Sequence, residues 1–71
     1  SSLRKQELER YDDELLDDIV DFVKTIEEVS ISMLQRRYRI GFNRSARIID
    51  ELEIRGMIAP SQGSKPRKVL R

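Results

Sequence analysis

The sequence predicts a winged helix-turn-helix, mainly α with a small β-hairpin, and three observations predict it. Three stretches carry apolar residues at helical spacing, and only a short Gly-containing segment separates the second from the third. The chain then closes on two short β-prone runs around a turn-rich loop. With 71 residues there is room for one core only, because separate domains usually need on the order of 100 residues each. The organisation expected is a flexible lead-in over residues 1–11, or a remnant foreign to the domain, followed by a winged-helix domain over 12–71. Ser1-Ser2 open the chain without a Met, so a piece of a longer protein is expected.

The first helix is expected over about residues 13–27. Leu15, Leu16, Ile19, Val20, Phe22, Val23 and Ile26 recur at helical spacing, with Asp17, Asp18, Asp21 and Lys24 between them. Asp12 or Asp13 is placed to accept hydrogen bonds from the free amides of the first turn, where the helix dipole also favours acids. Val29-Ser30-Ile31-Ser32 alternates apolar and polar, which fits an edge strand or an extended connector. Ser32 then caps a second helix, Met33 to Arg39, whose Leu34 and Tyr38 sit four apart and whose Arg36, Arg37 and Arg39 project outward. Gly41 is expected to turn the backbone at positive φ, and Asn43 to cap a third helix, Arg44 to Arg55, which Gly56 stops. Ala46, Ile48, Ile49 and Leu52 supply the apolar stripe of that helix. Met57-Ile58-Ala59 and Arg67-Lys68-Val69-Leu70 are the expected hairpin strands, around a loop from Pro60 to Pro66. A domain this small is marginally stable, so nearly all of these apolar residues belong in the core, Tyr38 and Phe42 included.

Composition removes several function classes. The chain has no Cys and no His, which excludes thiol chemistry, disulfides, the usual zinc sites and the commonest general base, so no enzyme is expected. Asp17 and Asp21 lie four apart, but no loop of alternating oxygen ligands accompanies them, and neither a metal nor a cofactor is expected. No apolar run approaches the ~20 residues of a membrane span.

Charge is more informative along the chain than in total. The net charge of +1 hides a split: residues 1–29 hold four bases and ten acids, a net −6, whereas residues 30–71 hold ten bases and three acids, a net +7. The basic part contains the third helix, on which Asn43, Arg47 and Asp50 fall on one stripe at i, i+4 and i+7, with Arg44, Glu51 and Ile54 alongside. Arg can make a bidentate contact to guanine, Asn can pair with an adenine edge, and a carboxylate can accept from cytosine N4. The same residues also satisfy a plainer account, with Asn43 as a cap and Arg47–Glu51 and Glu51–Arg55 as ordinary helix-surface pairs. The surrounding cations favour polyanion binding. Arg36, Arg37, Arg39, Arg44, Lys65, Arg67 and Lys68 all flank the third helix in the expected fold. Ser32, Arg36, Arg37, Arg44, Lys65, Arg67 and Lys68 are the candidate contacts to the DNA backbone. The acidic first helix is then expected to face away from phosphate, either solvated or as a surface for a protein partner.

The run from Ser30 through Asp50, followed by Leu52-Glu53 and Gly56, resembles the C-terminal gamma domain of the FtsK/SpoIIIE family of bacterial DNA translocases. Gly63-Ser64-Lys65-Pro66-Arg67 with Val69-Leu70 is similar to the wing of that family, and the likeness covers roughly residues 12–70. The resemblance implies a winged helix that reads short, G-rich, non-palindromic sequences in double-stranded DNA and so directs an attached hexameric motor during chromosome segregation. It places the base-reading positions on Asn43, Arg47 and Asp50. The family often has Glu at the last of these, so Asp50 reaches one methylene less far. The resemblance further implies a monomeric domain with several copies per DNA site. Its setting is cytoplasmic, within a membrane-anchored protein at the division septum. ATP and Mg belong to a motor outside these residues, which hold no Walker-type Gly-rich loop. The other role implied, contact with and activation of a tyrosine recombinase, would make the domain a protein-interaction module.

Overall fold

A computed structural model describes residues 13–61, 63 and 65–70. The expected lead-in over 1–11, the candidate cap Asp12 and residues 62, 64 and 71 lie outside the described residues. In chain order the elements are α1 (Leu16–Val23), β1 (Glu28–Val29), α2 (Ile31–Tyr38), α3 (Phe42–Ile54) and β2 (Arg67–Lys68). Among the described residues, three helices with a small antiparallel sheet form the winged helix that the apolar spacing predicts.

The start of α1 is organised by Asp13, whose carboxylate accepts the Leu15 amide at 2.9 Å and whose carbonyl accepts the Leu16 amide at 2.9 Å. The helix ends at Val23, one turn earlier than the apolar period predicts. The amide and hydroxyl of Thr25 both donate to the Phe22 carbonyl, at 3.0 and 2.7 Å, and the Ile26 amide reaches only back to Val23, which tightens the chain into a turn. β1 follows within five residues.

The cap of α2 is Ser30 rather than Ser32. Ser30 has extended backbone, and its hydroxyl accepts the Met33 amide at 3.1 Å, so the helix begins two residues sooner than expected. The turn between α2 and α3 also differs from the sequence expectation. Its left-handed residue is Arg39, at φ 55°, whereas Gly41 sits at φ −75° with extended ψ and serves as the N-cap of α3. The Gly41 carbonyl accepts the Ser45 amide at 3.1 Å, which places Asn43 inside the first turn instead of at the cap. At the other end Gly56 does stop α3. It takes φ 75°, its amide bonds to the Glu53 carbonyl, and the Met57 amide bonds to Leu52, the paired bonds of a glycine-terminated helix.

The wing differs from a simple hairpin. β2 pairs antiparallel with β1, Glu28 opposite Lys68 and Val29 opposite Arg67, while the segment through Ile58 joins through a single bridge to Val69. The return segment therefore lies between β1 and residues 57–59. Pro60, with no amide hydrogen to donate, follows directly on that bridged segment. The core comprises Leu16, Ile19 and Val23 of α1, Leu34 of α2, Ile48, Ile49 and Leu52 of α3, and Val29, Ile58 and Val69 of the sheet region. Burial of each such side chain contributes about 1.5–3 kcal/mol. Tyr38 packs at its edge, 6.2 Å from Phe22 in an edge-to-face arrangement. Phe42 does not join them: it is 58% exposed at the first position of α3.

Candidate nucleic-acid interface

The helical period divides α3 into three stripes. Asn43, Arg47, Asp50 and Ile54 form the outward one, and all four are exposed. The structure thus brings the three sequence-predicted base-reading residues together on a solvent-facing line about two turns long. The second stripe holds Arg44, Ile48, Glu51 and Arg55, and the third holds Phe42, Ala46, Ile49 and Glu53, with Ser45 and Leu52 buried between them.

Both flanking stripes are tied to other parts of the chain. Arg44 makes a bidentate contact to Asp13, Nε to Oδ2 and Nη2 to Oδ1, each at 2.7 Å, and the Asp13 side chain is only 4% exposed. Such forked pairs fix direction as well as distance. Glu51, expected beside the reading stripe, is instead buried, and its carboxylate accepts from Arg55 Nε at 2.9 Å. On the opposite flank Arg67 of β2 donates to Glu53 at 2.6 Å, with its own side chain 14% exposed. These pairs hold α3 to the segment preceding α1 on one side and to the wing on the other, so the outward stripe is presented at a set rotation. Sequence reasoning did not single out Asp13 and Glu53 for this role. Their partners lie 31 and 14 residues away, beyond any local spacing rule.

The candidate backbone contacts do not form one uniform set. Ser32, Arg36, Lys65 and Lys68 are exposed. Lys68 stands opposite Glu28 in the strand register. Arg37 lies with its guanidinium 3.9 Å from the centre of the Phe22 ring, against α1. Arg44 and Arg67 are engaged by Asp13 and Glu53 as described, so a phosphate at either would have to share or displace a carboxylate. Arg39, exposed in the left-handed turn, adds a cation close to the start of α3.

Between the start of α2, the start of α3 and the wing runs a groove of about 280 Å³. Among the described residues its charged lining is Lys65 and Arg67, and no carboxylate lines it. The acids Asp17, Asp18 and Asp21 are exposed on α1, outside this groove. Among the described residues no group of acids is arranged to hold a metal ion, and no helix is long and apolar enough to cross a membrane.

Comparison with known proteins places this geometry in a family. Residues 10–71 match the family described as the Ftsk gamma domain. A DNA translocase FtsK of Halalkalibacterium halodurans is 58% identical over 62 residues, which is 87% of this chain. The corresponding protein of Lactiplantibacillus plantarum is 57% identical over 60 residues, 84% of this chain. The DNA translocase SpoIIIE of Bacillus subtilis is 53% identical over 58 residues, 82% of this chain. The aligned stretch spans 8%, 8% and 7% of the length of these relatives, respectively.

Proposed function

The chain belongs to the FtsK gamma domain family, and on that premise we propose that it is a sequence-specific reader of double-stranded DNA. In this reading α3 enters the major groove along its outward stripe. Arg47 makes a bidentate contact to guanine O6 and N7, Asn43 pairs with an adenine edge, and Asp50 accepts from cytosine N4. Ser32, Arg36 and Lys65 meet phosphates on either side and set the register, with Arg44, Arg67, Arg37 and Lys68 as outer members of the same basic surface. The wing loop, with Gly63 and Lys65 at its tip, is suited to the adjacent minor groove.

The motif read is short, G-rich and non-palindromic, several copies of the domain share one site, and the bound domain directs an attached translocase motor during chromosome segregation. The domain is cytoplasmic, in a membrane-anchored protein of the division septum. ATP and Mg are handled by the motor, and the gamma domain itself catalyses nothing. The observation that carries the reading is the exposed stripe of Asn43, Arg47 and Asp50 on a helix fastened on both flanks.

The test is a titration of the domain against a G-rich non-palindromic duplex and its scrambled version across a salt series. Tighter binding to the G-rich duplex, with affinity falling as salt rises, is the expected result. Equal affinity for the two duplexes at every salt concentration would contradict sequence reading. In that case the interaction role would take its place, with recruitment of a tyrosine recombinase as its measurable activity.

A further inference from the structure

Among the described aromatic residues, Phe42 is the one outside the core cluster and its packed edge. It is 58% exposed at the first position of α3, and neither the core nor the base-reading stripe uses it. By the helical period it lies roughly 100° around the helix from Asn43, on the side of α3 that faces the wing through Glu53 and Arg67. Phe42 lines the groove described above, together with Ser32 and Gln35 of α2 and Lys65 of the wing loop. That lining has a distinct chemistry: cations, hydroxyls and an amide around an apolar patch of Phe42, Ile31 and Ile49, without a carboxylate among the described residues. A purely apolar partner would offer Lys65 and Gln35 nothing polar, and a simple anion would leave the ring unused. A nucleic-acid strand satisfies both, because its phosphates and its deoxyribose carbons alternate along one backbone.

Resting on the reading of the domain as a DNA binder, we infer that this groove holds one strand of the duplex between α3 and the wing, with the Phe42 ring packed on the apolar face of a deoxyribose. The contact is to sugar, not to a base edge, because Phe42 is rotated away from the stripe that enters the groove floor. It therefore adds affinity without sequence preference and without charge.

That combination separates Phe42 from its neighbours in a single binding experiment. Phe42→Ala is expected to weaken binding to a G-rich duplex and to its scrambled version by the same factor, about five- to tenfold. The salt slope should be unchanged, whereas loss of a phosphate-contacting cation lowers it. The ring is largely exposed and lies outside the core cluster, so the thermal midpoint should stay close to the wild-type value. In the wild-type complex, NMR contacts from the Phe42 ring to deoxyribose protons are expected. Unaltered affinity of Phe42→Ala in a domain whose wild type binds DNA would overturn the inference and leave the DNA-reading function standing. Collapse of the specific-to-scrambled ratio, or ring contacts to a thymine methyl, would also overturn it in favour of base reading. Failure of the wild-type domain to bind either duplex would overturn the functional reading itself, and the sugar contact with it.

Discussion

Along α3 the outward stripe and its two flanks are built from the same kinds of residue and arranged differently. Asn43, Arg47 and Asp50 are exposed, whereas Arg44, Glu51, Glu53 and Arg55 are drawn into ion pairs with Asp13, with one another or with the wing. Exposed pairs of this sort are worth little, about 0–1 kcal/mol, but both Asp13 and Glu51 are buried from solvent, where the loss of a partner costs more. Charge on the flanks thus sets the orientation of the helix, while the side chains of the outward stripe face solvent. A basic residue near a recognition helix is therefore not by itself a phosphate contact.

The comparison breaks most readily from inside. Leu52 is fully buried behind the stripe, and Leu52→Ala is expected to destabilise the domain by about 2–5 kcal/mol, seen as a large fall in the urea midpoint. On the flank, Asp13→Asn removes the charge that Arg44 grips and is expected to cost about 1–3 kcal/mol, discounted from a fully buried pair because Arg44 is 39% exposed. An unchanged midpoint for Asp13→Asn would show that the pair does not fasten α3. The smallest effect has the opposite sign. Ser45 is buried in the first turns of α3, and its hydroxyl has no hydrogen-bond partner. Ser45→Ala is expected to stabilise the domain by about 0.5–1 kcal/mol, from a removed desolvation penalty and a better helix former, with DNA affinity unchanged.

The stripes themselves were legible in the sequence because the helical period alone assigns Asn43, Arg47 and Asp50 to one face and Ile49 and Leu52 to the other. The stop at Gly56 was legible for the same local reason. Elsewhere local signals competed. Ser30 and Ser32 both precede apolar residues, and only the formed bond to the Met33 amide decides between them. A glycine beside a helix break draws the positive-φ assignment, yet the left-handed residue is Arg39, and a Cβ at Gly41 would meet nothing within 4 Å. The engagement of Arg44 by Asp13 follows from how α1 packs near the start of α3, which no spacing rule encodes. Phe42 is assigned to the core by its sequence because an aromatic next to a turn is usually buried, yet at the first position of α3 it stays exposed while Ile49, two turns on along the same stripe, is buried.

The central claim is that the outward stripe of α3 reads bases, and Arg47→Ala tests it most directly. Affinities of the wild type and the variant are measured on a G-rich non-palindromic duplex and on its scrambled version at one salt concentration. The account predicts that the ratio of specific to scrambled affinity falls about tenfold or more in the variant, because a bidentate contact to guanine is lost. A variant that binds both duplexes more weakly by the same factor, with the ratio intact, would contradict it and return Arg47 to the phosphate contacts.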